Sequence, residues 1–193
     1  YSGDWLILAR TNDKLKRMTP DLKDMGLYFE IKGRKSYRTR LYKSIQDYTR
    51  WTNGDKLSLS ECKDLFEFLE LDTELTDERM YDLKEFGFNS TDHWYEVFKA
   101  DPEECLYIRE MMRNKEKLSQ APRIKLSTIH AAKGGEATNI LIILDNTKKI
   151  REAVDKSLDK QDEEHRVWYV GITRTKQNLY IMEAKREDRG YDI

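Results

Sequence analysis

The sequence has little cysteine and no long apolar run, and each absence excludes a class of protein. Its two cysteines, Cys62 and Cys105, are far apart, with no CxxC pattern and no neighbouring histidine pair. This spacing excludes a disulfide framework and a zinc site, and it is typical of reduced thiols in a cytoplasmic protein. No apolar stretch approaches the roughly 18 residues that cross a membrane. Internal repeats and low-complexity tracts are also absent.

Two phosphate-binding signatures are missing as well. The pattern GxxxxGK[ST] does not occur, and AAKGGEAT, residues 131–138, has its glycines and lysine in the wrong order. No acidic pair that would hold a magnesium ion follows a strand pattern. The chain therefore lacks the loop that cradles the phosphates of a nucleotide, the metal ligands and the catalytic base.

The length of 193 residues, with 37% charged and 38% hydrophobic residues, suits a soluble protein with one good core or two small domains. Tyr1 is not an initiator methionine, so we expect a piece of a longer protein. The net charge of −1 is unevenly distributed. Ile31–Arg50 carries seven basic residues and one acidic residue, a net +6, whereas Glu61–Glu110 carries five basic and sixteen acidic residues, a net −11. We expect one face that meets phosphates and another that does not; solvated helix faces are the alternative.

The stretch Asp162–Ile181 predicts a buried helix followed by a strand. We expect its three acidic residues, Asp162–Glu164, to form the first turn, where they favour the positive end of the helix. The following residues are apolar almost all round, which predicts burial on every side. They are Val167, Trp168, Tyr169, Val170 and Ile172. Gly171 within this run is expected to allow close backbone packing.

Arg174 lies one turn beyond Val170, on the same face of this helix. A partly buried arginine needs an anionic partner. Two partners fit: a carboxylate in a core salt bridge, or a phosphate, for which the planar fork of donors is suited.

Two apolar, β-branched runs, Ile124–Ile129 and Ile140–Leu144, predict buried strands on either side of a polar loop. The loop Thr128–Glu136 therefore lies between two strands of a covered sheet. In open α/β sheets, ligands bind outside the carboxyl ends of the strands. Arg10, at the end of the strand predicted over Trp5–Ala9, has the same kind of position, although a structural arginine is common there.

These stretches resemble the motifs of one family. STIHAAKGGEATNILI resembles motif V of the UvrD/Rep family of superfamily 1 DNA helicases, and EEHRVWYVGITRTKQNLYI resembles motif VI. WLILARTNDKLKRM resembles motif IV, and YFEIKGRKSYRTRLYKSIQDYTRW looks like the segment that follows it. The resemblance covers about Asp4–Trp51 and Arg123–Ala184. It does not cover the middle of the chain.

The resemblance implies an α/β fold, with a RecA-like parallel sheet of the P-loop-NTPase type, flanking helices and a small all-helical insertion. We expect residues 1–54 and 123–193 to form the two parts of the RecA-like domain, and residues 55–122 to form the acidic insertion. The first part should be a β-α-β unit with strands at Trp5–Ala9 and Tyr28–Ile31. Its helix should be divided at Thr19-Pro20.

Four short helices are expected in the insertion. They are Cys62–Leu71 behind a Ser58–Glu61 capping box, Glu78–Phe86 capped by Thr76, a helix opened by Asp92, and one from Pro102 to about Leu118. After Asp145 we expect a charged surface segment with a helical part, and a last strand at Asn178–Glu183. The apolar side chains of the basic segment should be core residues, so its turn supplies the better nucleic-acid candidates.

The resemblance also implies roles for single residues. Arg10 and Arg174 match the two arginines that the family aims at the γ-phosphate of ATP. Glu136 matches the glutamate on the ribose hydroxyl, and Gly134 matches the motif V glycine, whereas Gly135 and Ala137 replace the usual Leu and Phe. Thr128 and His130 match positions near the single-strand backbone, although an isolated histidine is more often structural. Lys32, Arg34 and Lys35 are the basic candidates for nucleic acid. Glu164 and Arg166, which open motif VI, are expected to form a structural pair.

The function that follows is the C-terminal half of an ATP-dependent single-stranded-DNA translocase or helicase of 3′-to-5′ polarity. It would be inactive alone, because ATP and Mg²⁺ would bind mainly to a missing N-terminal RecA-like domain. The alternative is a non-catalytic module whose acidic insertion docks a protein partner. The pathway, whether repair, replication, recombination or a phage process, stays open.

Overall fold

The computed structural model of the chain describes residues 3–132, 134–184 and 190–191. The chain forms two compact units. One consists of Tyr1–Ser36 and Met111–Ile193, and the other of Tyr37–Glu110. Among the residues described, no helix has the length and apolar character needed to span a membrane.

Six strands of the described ranges build the sheet of the first unit. They are β1 (Trp5–Ala9), β2 (Phe29–Ile31), β3 (Arg34–Lys35), β4 (Ile124–Thr128), β5 (Ala137–Leu144) and β6 (Thr175–Glu183). Their order is β3-β2-β4-β1-β5-β6. All neighbouring strands are parallel except β2 and β3, which form an antiparallel hairpin. This mixed α/β architecture confirms the predicted fold class and is consistent with a RecA-like fold.

Seven α-helices form in the part of the chain that is described. They are α1 (Asn12–Asp24), α2 (Thr39–Thr52), α3 (Leu59–Leu69), α4 (Trp94–Val97), α5 (Pro102–Arg113), α6 (Lys148–Lys156) and α7 (Leu158–Ile172). The predicted division of α1 is wrong. Pro20 lies inside a continuous helix, where it cannot donate to the carbonyl of Lys16. The hydroxyl of Thr19 donates to that carbonyl instead, at 2.8 Å, so the helix continues.

Helix α7 packs against β5 through a glycine contact. A Cβ atom added to Gly171 would lie 2.8 Å from Cδ1 of Ile142, which confirms that this glycine allows close packing. Trp168, 1% exposed, joins Ile142 in the same apolar cluster. Burial on every side is wrong, however, because Tyr169 is 69% exposed. The helix covers one face of the sheet, and its outer stripe meets solvent.

The start of α7 also differs from the prediction. The helix begins at Leu158, after Ser157 in an extended conformation. The acidic residues Asp162–Glu164 therefore lie in its second turn rather than its first. This shift places Glu164 on the buried side of the helix, where it is 4% exposed.

The second unit has an aromatic core around α2. The apolar stripe of this helix is buried, which confirms the prediction that these residues are core rather than base-stacking platforms. Trp51 donates its Nε1 hydrogen to Oδ1 of Asp82 at 2.7 Å, and Tyr48 packs edge-on against Phe98. These contacts place α2 in the Tyr37–Glu110 unit, although the sequence assigned it to the first part of the RecA-like domain.

The remaining helices of this unit match the predictions in part. The Ser58–Glu61 capping box before α3 is confirmed, and α4 and α5 begin near the predicted starts. The helix predicted over Glu78–Phe86 is wrong, because the backbones of Leu57 and Tyr81 pair with each other. Only a 3₁₀ turn forms there, Leu83–Phe86, with Asp82 as its cap.

Acidic residues of α3 neutralise the basic residues of α2. Arg40 and Lys43 lie 3.1 and 3.2 Å from the carboxylate of Asp64, and Arg50 lies 2.8 Å from that of Glu61. Hydrogen bonds from Lys43 and Arg40 lower the pKa of Asp64. The basic residues Arg40, Lys43 and Arg50 are thus matched within this unit, whereas the exposed cations Lys32, Arg34 and Lys35 belong to the other unit.

Both cysteines are free thiols in the second unit, in agreement with the sequence. Cys62 is buried, and burial raises the pKa of its thiol to about 11.

Candidate functional site

Arg10 and His130 meet at the carboxyl ends of the parallel strands. Ala9, the last residue of β1, lies opposite Thr128, the last residue of β4. Residues that follow these strands therefore lie at the same edge of the sheet, which we call the carboxyl edge. There Nη1 of Arg10 lies 3.4 Å from Nδ1 of His130. The structure thus brings together two of the predicted site residues.

Glu164 of α7 is the carboxylate partner of Arg10. The Nε of Arg10 donates to both carboxylate oxygens, at 2.9 and 3.0 Å. The side chain of Glu164 is 5% exposed and that of Arg10 is 20% exposed. The predicted Glu164–Arg166 pair is wrong, because residues two apart on a helix do not face each other. Across the described ranges, no carboxylate lies within ion-pairing distance of Arg166.

A cavity of about 430 Å³ opens at the carboxyl edge, between α6, α7 and the strand ends. One wall is apolar and comes from α6 and α7. The other carries charged and polar side chains. Its lining residues are Arg10, His130, Ile150, Ala153, Val154, Lys160, Glu163, Glu164, Arg166 and Val167. Lys160 and Glu163 pair with each other at 2.7 Å.

A second buried ion pair at this edge was not predicted from the sequence. Lys14 of α1, 7% exposed, pairs with Asp145, which follows β5. The next residue, Asn146, is fully buried, and its side-chain amide has no hydrogen-bond partner in the described part of the chain. The signal was an acidic residue directly after a buried strand, the same kind of position that drew attention to Arg10.

The motif V loop runs from the carboxyl ends of the strands, the carboxyl edge, back to their amino ends. Thr128 ends β4 at the carboxyl edge, where its Oγ1 accepts a hydrogen bond from the Ala131 amide at 3.3 Å. Glu136 directly precedes β5 and therefore lies at the opposite, amino edge. Between them Ala132 is buried in the apolar cluster. Gly134 has a φ of 85°, a conformation that favours glycine.

Arg174 lies beside Glu136 at the amino edge. The amide of Ala137, the residue after Glu136, donates to the Arg174 carbonyl at 3.1 Å. The Nε of Arg174 donates to the Val170 carbonyl at 3.0 Å. Glu136 is exposed, and its carboxylate is 3.9 Å from Nζ of Lys176. No carboxylate in the described ranges lies within ion-pairing distance of Arg174, so those ranges supply no partner for the predicted alternative of a core salt bridge.

The two predicted γ-phosphate arginines lie at opposite edges of the sheet. Ala9 lies opposite Ile143, so Arg10 is level with residue 144 of β5. Thr175 lies opposite Ala137, so Arg174 is level with residue 136. These eight residue positions correspond to about 26 Å along the strands, beyond the combined reach of two arginine side chains. The expectation that both contact one γ-phosphate is therefore wrong in this arrangement.

The basic turn is a tight hairpin at the carboxyl edge. Lys32 and Gly33, between β2 and β3, have φ values of 53° and 72°, as in the two-residue turns with left-handed central residues. Ile31 lies opposite Leu126 of β4, so the turn projects at the same edge as His130. The exposed cations Lys32, Arg34 and Lys35 therefore share an edge with the predicted DNA residues of motif V.

Comparison with known proteins identifies the family of the chain. Residues 74–186 match the family model described as the UvrD-like helicase C-terminal domain. The ATP-dependent DNA helicase PcrA of Bacillus subtilis (strain 168) is 27% identical over 184 residues, 92% of this chain. The ATP-dependent DNA helicase Rep of Buchnera aphidicola subsp. Schizaphis graminum is 31% identical over 76 residues, 38% of this chain.

A probable DNA helicase II homolog of Rickettsia conorii is 34% identical over 76 residues, 36% of this chain. The chain spans 22% of the length of PcrA, 12% of Rep and 11% of the Rickettsia protein. The family model matches more than half of the chain. The chain therefore belongs to the UvrD-like helicase C-terminal domain family.

Proposed function

We propose that this chain is the second RecA-like domain of an ATP-dependent single-stranded-DNA translocase or helicase, moving 3′-to-5′ as the family resemblance implies. The observation that carries the proposal is the course of the motif V loop. It starts at Thr128 and His130 on the carboxyl edge and ends at Glu136 beside Arg174 on the amino edge. One segment thus joins a candidate DNA site to a candidate nucleotide site. The names of the relatives, which are DNA helicases, support the same assignment.

The nucleotide site in this proposal is the amino edge. The Nε of Arg174 donates to the Val170 carbonyl, and its two terminal nitrogens have no hydrogen-bond partner among the residues that the structure describes, which leaves them for a phosphate. A guanidinium with no carboxylate partner in the described ranges suits the charge that develops in phosphoryl transfer. Glu136, exposed on the same edge, supplies an acceptor for a ribose hydroxyl.

ATP with Mg²⁺ is the expected cofactor, and in this proposal the chain forms only one wall of the ATP-binding site. The described residues contain no group of carboxylates, histidines or cysteines that could hold a metal ion. In the proposal, the metal ligands, the phosphate-binding loop and the catalytic base belong to a partner N-terminal RecA-like domain. That domain would close on the amino edge when it holds ATP.

The DNA site in this proposal is the carboxyl edge. Thr128 and His130 donate to backbone phosphates, and Lys32, Arg34 and Lys35 extend the contact along the hairpin. Phosphate contacts of this kind bind without reading sequence and depend strongly on salt.

The test compares the chain alone with the chain joined to its P-loop domain. Alone, we expect no ATP hydrolysis above background, with or without single-stranded DNA. Joined, we expect hydrolysis that single-stranded DNA stimulates. ATP hydrolysis that copurifies with the chain alone would contradict the assignment of the phosphate-binding loop and the catalytic base to the other domain. A joined protein whose hydrolysis is not stimulated by DNA would contradict the translocase.

A non-catalytic module that docks a protein partner is the second candidate function. Exposed carboxylates of the second unit that have no ion pair in the described ranges favour it, among them Asp72, Glu74 and Glu78. The presence of Arg174 without a carboxylate partner in those ranges favours the translocase. A non-catalytic module predicts no DNA-stimulated ATP hydrolysis by the chain joined to a P-loop domain, whereas the translocase predicts hydrolysis that replacement of these three carboxylates by their amides leaves unchanged.

A further inference from the structure

We infer that the outer side of β6 is a docking surface for a second copy of this chain, which extends the sheet by antiparallel pairing of the two β6 strands about a twofold axis. β6 is the last strand in the sheet order. Among the described residues its strand partner is β5, so in that part of the chain no strand pairs with its outer side. The inference is independent of the proposed function, because it involves neither nucleotide nor DNA.

The middle of β6 lacks the features that protect an edge strand. Natural edge strands are short, or they carry lysine, proline, a bulge or an inward-pointing charge. β6 has nine residues, and between Lys176 and Glu183 it contains no charged residue, proline or glycine. The irregularity in its pairing with β5 lies at its start, and the register is regular from Asn178 to Glu183. A strand of this kind is a template for pairing with another chain.

Two exposed apolar side chains of β6 lie on the face of the sheet that α7 covers. Leu179 and Ile181, 36% and 50% exposed, lie opposite Ile140 and Ile142 of β5. Paired residues of neighbouring strands point to the same face, and Gly171 of α7 lies against Ile142 on that face. The helix therefore lies over β5 and leaves the apolar surface of β6 beside it partly exposed.

The flank of α7 that faces β6 also carries an exposed ring. Val167 lines the cavity on the β1 side of the helix, and Tyr169 lies about 200° further around the helix, on the other flank. There Tyr169 is 69% exposed. Tyr191 covers the carboxyl end of this flank, where it stacks on Trp168 at 5.2 Å. The remainder of the flank and the outer side of β6 thus form one apolar surface.

A second copy fits on this surface without displacing α7. Antiparallel pairing about a twofold axis places both α7 helices on the same face of a continuous sheet. Neighbouring strands are about 4.8 Å apart, so the two β5 strands, and the helices over them, would be about 14 Å apart. Helices in direct contact pack at about 8–10 Å. The wider space between the two helices is therefore filled by the Tyr169 side chains of both copies.

The charges at the two ends of β6 favour an antiparallel copy. Lys176 lies near the amino end of the strand and Glu183 at its carboxyl end, and both are exposed. Antiparallel pairing brings the lysine end of one strand to the glutamate end of the other, whereas parallel pairing places like charges side by side. The paired segment is smaller than the roughly 20–30 residues that each side of a stable interface contributes. The dimer should therefore be reversible and form at high protein concentration.

The apolar side chains of β6 select one register. With Tyr180 on the twofold axis, Leu179 of each copy lies opposite Ile181 of the other. Movement of the axis to Leu179 would set Ile181 opposite Gln177, and movement to Ile181 would set Leu179 opposite Glu183. Of these three positions, the axis at Tyr180 is the one that pairs both apolar side chains with apolar partners, the pairs that stabilise a sheet.

Sedimentation velocity of the 193-residue chain over a range of protein concentrations tests the dimer. We expect a species of twice the single-chain mass of 23.1 kDa to appear as the concentration rises. Ile181→Lys should raise the Kd of the dimer about 10-fold or more, because two apolar cross-strand pairs are lost and a lysine protects the edge. Met25→Lys is the matched control, since it changes a 63% exposed apolar residue at the end of α1, and it should leave Kd unchanged. Both variants replace exposed side chains, so their Tm should stay close to the original value.

Disulfide cross-linking tests the register. The background is Cys105→Ser, which leaves the buried Cys62 as the native thiol. Directly opposite residues of an antiparallel pair have Cβ atoms about 4.5–5.5 Å apart, whereas diagonal neighbours are about 7–8 Å apart. An equimolar mixture of the Leu179→Cys and Ile181→Cys chains should therefore form more disulfide-linked dimer than either variant alone.

Three outcomes would overturn the inference. A chain that stays monomeric at every concentration excludes the dimer. A dimer whose Kd responds equally to Ile181→Lys and Met25→Lys does not use β6. Stronger cross-linking of Leu179→Cys alone or of Ile181→Cys alone than of their mixture excludes the pairing centred on Tyr180.

Discussion

The Nε of Arg10 donates to both carboxylate oxygens of Glu164, at 2.9 and 3.0 Å, across 154 residues of sequence. This pair ties the end of β1 to the middle of α7, and it is the core salt bridge that the sequence offered as one alternative for Arg174. The two arginines differ in their partners because they adjoin different parts of α7. Arg10 meets the second turn of the helix, where a carboxylate points inward, whereas Arg174 follows its last turn, where the chain enters β6.

Arg10→Ala should destabilise the chain, because it leaves the buried carboxylate of Glu164 without its partner. Breaking a buried pair by removing one member costs about 3–5 kcal/mol. Arg10 is 20% exposed, so we expect the lower end, about 3 kcal/mol. Thermal unfolding of the 193-residue chain should show a drop in Tm of roughly 6–12 °C.

Two variants control this experiment. Arg17→Ala removes an arginine whose pair with Asp13 on the surface of α1 is 66% and 64% exposed, and it should cost about 0.5 kcal/mol or less. Glu164→Gln added to Arg10→Ala removes the stranded charge and should recover part of the stability. Equal Tm values for the single and double variants would show that an unpaired Glu164 does not destabilise the fold.

Gly171→Ala should also destabilise the chain, for a steric reason. The new methyl group would lie 2.8 Å from Cδ1 of Ile142, a fully buried side chain. Overpacking of this kind costs about 1–3 kcal/mol. At this short distance we expect a cost in the upper half of that range, which exceeds the gain of about 1 kcal/mol in helix propensity when alanine replaces glycine. Denaturant unfolding should show a net decrease in the free energy of unfolding.

Ile142→Val provides the matched rescue, because it removes the Cδ1 atom. Alone it should cost about 0.5–1.5 kcal/mol. Combined with Gly171→Ala it should be less destabilising than the sum of the two single changes, since one methyl group replaces the other. Strict additivity would mean that the close approach of α7 to β5 does not limit the packing.

The sequence predicted what local patterns determine. The strands β1, β4 and β5, the capping box of α3 and the packing role of Gly171 follow from apolar periodicity and from residue types at fixed offsets. The predicted helix over Glu78–Phe86 failed because a long-range backbone pairing, Leu57 with Tyr81, competed with the local capping signal.

The geometry of the site depended on contacts that the sequence does not encode locally. The partner of Arg10 is a motif VI residue, and its identity depends on which turn of α7 covers the end of β1. The separation of Arg10 from Arg174 depends on the pairing of β1 and β6 with β5, because both pairs are parallel and Arg10 follows its strand whereas Arg174 precedes its strand. Residue types alone gave both arginines the same chemistry.

Arg174→Ala should leave the fold nearly intact and reduce hydrolysis. The only side-chain bond it removes among the described residues is the one from its Nε to the Val170 carbonyl, worth about 0.5–1.5 kcal/mol. In the chain joined to its P-loop domain, kcat for DNA-stimulated ATP hydrolysis should fall by about 10³-fold, with little change in nucleotide affinity. Arg174→Lys should rescue poorly, because an ammonium offers a point charge in place of a fork.

Arg17→Ala serves here as the control for removal of an exposed arginine and should leave kcat unchanged. A large drop in Tm for Arg174→Ala, together with near-normal kcat, would contradict a role at the phosphate. It would instead show that the bond to Val170 holds the end of α7.

Removal of the hairpin charges should weaken DNA binding for every sequence alike. Lys32, Arg34 and Lys35 lie on the β2–β3 hairpin at the carboxyl edge, and all three are exposed. Their replacement by glutamine should lower the slope of log K against log salt by roughly 0.7 for each phosphate of a single strand that is no longer neutralised. The measurement is oligonucleotide binding over a range of salt concentrations, with oligo(dT) and a mixed sequence.

The chain offers a control with the same number of charges. Arg40, Lys43 and Arg50 belong to the same basic run, but each pairs with a carboxylate of α3. Their replacement by glutamine removes three positive charges that are already matched, so the salt slope should stay close to its original value. If both triple variants lower the slope equally, net charge alone governs binding and the hairpin has no special role. If neither does, the run is a solvated face, and the contact to DNA lies with motif V.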